Sequence, residues 1–201
     1  VTRLLPVLVG SALLLASACA TSDSKPDGPP AAAGTLVEGS VSVAEGATAP
    51  ASMKVIALWV VTATSPDYAY KFGEAPVKDG KFQLTVDGAK LPQDALNTLG
   101  EFRLGVAMIA VVPGDAAIPD GRFDGNPDEM MLGNATDNAL IFRRAVGPPK
   151  LKWPEAFGEG TVQCGKGAPP PEGARFHIFV PTACKGIDVK VGGPKKWVNW
   201  T

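Results

Sequence analysis

Residues Ala75–Asp87 read APVKDGKFQLTVD, and this stretch decides the fold class. Asp79-Gly80 suits a type I′ turn, which needs φ > 0 at both central residues. After the turn the chain alternates. Phe82, Leu84 and Val86 share one face, and Lys81, Gln83, Thr85 and Asp87 share the other. That period of two predicts a half-buried strand, and the turn predicts a hairpin joining it to Ala75–Lys78. Similar signals extend in both directions. Thr35–Val43 (TLVEGSVSV) alternates. Met53–Thr62 (MKVIALWVVT) and Glu101–Val112 (EFRLGVAMIAVV) are apolar, β-branched runs that suit buried central strands. Asn138–Val146, Thr161–Cys164, Ala174–Pro181 and Ile187–Val191 supply further strands. One helical turn is expected around Gln93–Leu99, and long loops over Asp115–Gly133 and Gly147–Gly160. The 23 Gly and 19 Pro are spread among turns. Many short strands with frequent turn signals predict an all-β, antiparallel β-sandwich.

The first strand, the long apolar strand and the D-G-x-F-x-L-x-V turn together resemble the transthyretin-like, carboxypeptidase-regulatory-like β-sandwich, an immunoglobulin-like arrangement. The resemblance covers about residues 35–90. It implies a fold and no activity.

The N-terminus reads as an address. Arg3 precedes Leu4–Leu15, an uncharged apolar run, and then Ala16-Ser17-Ala18-Cys19. A positive start, a short apolar segment and small residues before a cleavage point mark a secretory signal peptide. The run is too short for a spanning helix, which needs about 20 apolar residues. The segment resembles the lipobox of bacterial lipoproteins, although Leu15 stands one position further from the Cys than usual. Ordinary cleavage after Ala18 or Ala20 is the alternative. The resemblance implies that Cys19 carries diacylglycerol and fatty-acyl chains such as palmitate. Ala20, in place of Asp, resembles outer-membrane sorting. Ala20–Gly34 (ATSDSKPDGPPAAAG) has the composition of a flexible tether. The expected organisation is signal peptide 1–18, lipidated Cys and linker 19–34, and one β-sandwich domain 35–201.

Lys and Arg total 19 against 20 Asp and Glu. No basic run is present to neutralise a nucleic-acid backbone, so nucleic acid is not an expected partner. Besides Cys19, the cysteines are Cys164 and Cys184. An even pair in an exported chain predicts a disulfide. A zinc site would need more ligands than the single His177 offers.

The acidic loop PGDAAIPDGRFDGNPDEMMLG holds the candidate metal ligands Asp120, Asp124, Asn126 and Asp128, beside Asp115 and Glu129. Ca²⁺ takes six to eight oxygen ligands. An EF-hand-like frame fails both ways. With Gly121 at the glycine position, Ala116 and Ile118 fall where ligands belong. Starting at Asp124, Glu129 falls where the glycine belongs. The competing reading is a solvated loop with Asx turns. His177 lacks a nucleophile-elbow serine, and no phosphate-binding glycine loop occurs. Trp59 reads as core, whereas Trp153 and Trp200 are candidate binding aromatics for a glycan or peptide. The expectation is a lipid-anchored envelope protein, non-enzymatic, acting as a binding module for a protein or glycan. The alternatives are a structural envelope lipoprotein, or a Ca²⁺-binding or enzymatic domain using residues 115–129.

Overall fold

Strand β1, Thr35–Val43, follows the predicted boundaries, with Val37 and Val41 buried between exposed or half-buried neighbours. The computed structural model describes residues 34–59, 68–99, 102–145, 158–168 and 178–195. The leader, Cys19, the tether, Trp153, His177 and Trp200 lie outside the described residues. After β1 come β2 (Met53–Trp59), β3 (Tyr68–Pro76), β4 (Lys81–Val86), β5 (Asn97–Leu99), β6 (Phe102–Pro113) and β7 (Gly121–Asp124). A four-residue helix α1 (Pro127–Met130) precedes β8 (Gly133–Ala145), β9 (Val162–Ala168), β10 (Ile178–Thr182) and β11 (Ile187–Val191).

These strands build an all-β sandwich. A three-stranded sheet runs β11-β1-β4, with β1 parallel to β11 and antiparallel to β4. An eight-stranded antiparallel sheet runs β10-β9-β8-β6-β2-β3-β7, with β5 also paired to β6. The main core lies between them. Val55, Ala57 and Trp59 of β2, Ile109 and Val111 of β6, and Leu140 and Phe142 of β8 meet Val37, Phe82, Leu84, Val86, Ile187 and Val189. A second cluster covers the outer face of the large sheet, where Ile56, Leu58, Met108, Ala110 and Val112 pack beneath Ile118, Phe123 and Met131. Strands β2 and β6 are therefore buried on both faces, which is why their sequences run apolar without alternation.

Three expectations change. The Asp79-Gly80 turn forms with φ of 50° and 68°, and Lys78 and Lys81 exchange backbone hydrogen bonds at 2.9 Å. No longer hairpin follows: β3 pairs with β2 out to Pro76 and with β7 over Tyr68–Lys71. Strand β4 pairs with β1 instead, so this turn carries the chain from one sheet to the other. The helical turn over Gln93–Leu99 is a 3₁₀ turn at Gln93–Ala95, followed by β5. The expected loop 115–133 contains β7 and α1. Strand β7 is only four residues long and is held by pairing to β3, a tertiary cue with no local periodicity to announce it.

Candidate functional site

Strand β3 reads YAYKFGEAP, and alternation separates its two faces. Tyr70 joins the main core, with Tyr68 and Phe72 packed against it, while Ala69 joins the outer cluster. Lys71 shares that outer side and is only 3 % exposed. An ammonium rarely sits so deep unless paired. Pairing of β3 with β7 places Lys71 opposite Gly121 and brings Asp120 alongside it. Lys71 Nζ lies 2.6 Å from Glu74 Oε2 and 3.0 Å from Asp120 Oδ1. Lys54 Nζ reaches the same Glu74 oxygen at 3.2 Å. Two lysines and two carboxylates thus pin the acidic loop to the outer face of the sheet.

Electrostatics follow this geometry. Burial draws the Lys71 ammonium down, but its hydrogen bonds to Glu74 and Asp120 outweigh that and hold its pKa above the ordinary value. The hydrogen bond from Lys71 holds the Glu74 carboxyl below its ordinary value, against burial and with help from Lys54. Tyr70 Oη donates to Asp94 Oδ2 at 2.8 Å. Burial, reinforced by that bond, pushes the Tyr70 phenol up to about 12. Glu74, lowered, contributes stability that is present above the ordinary carboxylate range and lost as pH falls through its folded value. Lys71, raised, contributes below 10.5 and loses that contribution as pH rises through its folded value. Tyr70 contributes below 10.0 and loses its share between there and about 12. Stability is therefore expected to be flat from the carboxylate range to about pH 10, falling on either side, as urea midpoints across pH will report.

Breaking this cluster is expected to cost more than deleting it. The double variant Glu74→Gln/Asp120→Asn leaves a buried ammonium without a carboxylate. It should lose about 2 kcal/mol, below the usual range for a broken buried pair because both carboxylates are solvent-exposed. Lys71→Met should be close to neutral, since Glu74 keeps Lys54 and Asp120 faces water. Urea unfolding at neutral pH of the two variants side by side checks this order.

The four candidate metal ligands have separate engagements. Asp120 pairs with Lys71. Asp124 Oδ1 lies 3.4 Å from Arg122 Nη2, whose guanidinium also stacks 4.0 Å from the Tyr68 ring centroid. Asn126 Oδ1 accepts from the Asp128 N–H at 3.0 Å and caps α1, an Asx turn of the kind the loop reading expects. The Asp128 carbonyl accepts from Lys195 Nζ, and its Oδ1 is buried without a donor among the described residues. No group of three or more His, Cys, Asp or Glu is placed to hold a metal ion among the described residues.

A groove of about 490 Å³ opens beside the Asp79-Gly80 turn. Glu38 and Gly39 of β1, Pro76 at the end of β3, Lys78, and Lys81, Phe82 and Gln83 of β4 line it. Gln83 Nε2 donates to Glu38 Oε1 at 2.8 Å and fixes its floor, while Lys185 Nζ approaches Glu38 Oε2 at 3.5 Å. Lys78 and Lys81 stand exposed at its rim. Compared with known proteins, the chain matches no family model, no curated protein and no solved structure.

Sequence reasoning identified the Cys164–Cys184 disulfide, which the structure forms with a Cα–Cα distance of 5.2 Å. It placed Trp59 in the core, where Trp59 is fully buried. It missed Lys71 and the groove. The signal for Lys71 was available only in part, as a lysine in phase with Ala69 on a strand flanked by aromatics. No helix among the described residues is long and apolar enough to cross a membrane.

Proposed function

We propose that this is a lipid-anchored cell-envelope protein, held through Cys19 at the outer membrane, whose sandwich is a non-enzymatic binding module using the groove beside the Asp79-Gly80 turn. The groove is the observation that carries the reading. It joins an exposed, rigid Pro76 to a few oriented polar groups, Glu38 and Gln83 among them, over a floor backed by the buried Phe82. Its open form and exposed lysine rim suit an extended segment of an acidic partner protein or an anionic glycan. The transthyretin-like resemblance of residues 35–90 is compatible with such a module and adds no activity of its own.

Two measurements test the reading. The intact mass of the chain extracted from its native membranes is expected to match a protein beginning at Cys19 plus acyl groups; an unmodified mass removes the anchor. A photo-crosslinking amino acid at Gln83 is expected to give a discrete product in cells, and the same group at Asp188, exposed on β11, none. Equal products at both positions, or none at either, would sink the groove as the binding surface.

A further inference from the structure

The end of the sandwich where β1 begins carries an arginine pair with no ion-pair partner among the described residues. In the β6–β8 ladder, Arg103 and Arg144 are direct cross-strand partners. Alternation puts Arg103 in phase with Ala107 and Ile109, and Arg144 in phase with Leu140 and Phe142, so both guanidiniums share one face. Like charges directly opposite each other disfavour a sheet. Both residues are half-buried, and neither forms an ion pair among the described residues. Arg103 Nη1 makes a long hydrogen bond of 3.4 Å to the Gln93 carbonyl, and the Arg144 guanidinium lies 5.4 Å from the Phe142 ring centroid. The carboxylates on the neighbouring 3₁₀ turns are engaged elsewhere. Asp87 Oδ1 accepts from Ala89 N–H, and Asp94 accepts from Tyr70. Lys90 is exposed at the end of the turn Gly88–Lys90, whose first residue packs on Phe142.

The chain enters the domain at this same end. Thr35 pairs with Val86, and its hydroxyl donates to the Val162 carbonyl at 2.6 Å. Val162 is the cross-strand partner of Phe142, which precedes Arg144 by two residues. A chain of the length and Pro/Gly/Ser-rich composition of Ala20–Gly34 is expected to span about 20 Å on average, so a domain anchored at Cys19 would stay close to the lipid surface. We propose that Arg103 and Arg144 bind the phosphate headgroups of anionic lipid and turn this end of the sandwich toward the membrane. A phosphate between two guanidiniums accepts bidentate hydrogen bonds from each and replaces their repulsion with a shared counter-charge.

The inference takes its setting from the anchored reading, but its test does not need the anchor. The full chain carrying Cys19→Ser is sedimented with phosphatidylcholine vesicles, with and without phosphatidylglycerol. Any contribution of the apolar leader appears with both. Tighter binding to the anionic vesicles is expected, weakening as salt rises. Arg103→Gln/Arg144→Gln should reduce that increment about 20-fold, given the affinity one basic side chain gains at an anionic surface. Arg103→Lys/Arg144→Lys should keep most of it, and Lys190→Gln, exposed on β11 toward the opposite end of β1, should leave it unchanged. No anionic increment in the parent chain, or an increment untouched by the glutamine pair, overturns the proposal. So does binding of free inorganic phosphate with no vesicle binding. A failed acylation test beside a successful vesicle test removes only the anchor.

Discussion

Gly39→Ala is expected to cost about 4 kcal/mol or more, at the upper end of single-residue effects. Gly39 lies in β1 opposite Ile187 of the parallel neighbour β11. A Cβ there would overlap the Ile187 carbonyl oxygen and stand 2.6 Å from the Phe82 ring. The carbonyl is main chain and has no rotamer to escape into, so the β1–β11 ladder must open or Phe82 must leave the core. Gly133 repeats the arrangement from the other sheet, where a Cβ would overlap the Lys190 carbonyl oxygen. Strand β11 therefore lies in a slot with one glycine from each sheet against its backbone. Gly167→Ala is the control, because a Cβ added there would meet nothing within 4 Å and its backbone needs no positive φ. It should stay within about 0.5 kcal/mol of the parent. Urea midpoints of the three alanine variants check the order.

The sequence made the strands legible but not their partners. Thr35–Val43, Lys81–Val86 and Ile187–Val191 announced themselves by alternation, which is a local property. Pairing depends on which edges are free. The Asp79-Gly80 turn shows the difference, since its local geometry formed as expected while its two strands joined separate sheets. Gly39 could be read only as a weak point in a strand until the closeness of β11 gave it a purpose. The acidic loop shows a related limit. Its carboxylates left open a shared cation or a solvated loop with Asx turns, and neither reading could foresee that β7 pairing brings Asp120 to Lys71, a residue distant in sequence and silent about its burial. The cysteines were readable from parity alone, because covalent chemistry leaves few choices where packing leaves many.

Cys164→Ser/Cys184→Ser is expected to lose about 3 kcal/mol, the chain-entropy value for a bridge closing a separation of 20 residues. Its position makes the loss local before it is global. Cys164 is buried in β9 of the large sheet, while Cys184 lies in the turn that leads into β11 of the small one. The Cys184 carbonyl also accepts from the Glu38 N–H at 2.8 Å, which ties the turn to β1. The bridge thus fastens the entrance of β11 to the opposite sheet, and the glycine slot holds the strand itself. Without the bridge, β11 keeps its ladder to β1 and its buried Ile187, Val189 and Val191, so the fold should survive in water at neutral pH. Hydrogen exchange should then show early opening at β11 and the adjoining half of β1, ahead of β2 and β6, which are buried on both faces. Uniform acceleration across all strands would mean that the bridge stabilises only by restricting the unfolded chain. Acceleration confined to β11 and β1 would identify that strand as the element joining the two sheets.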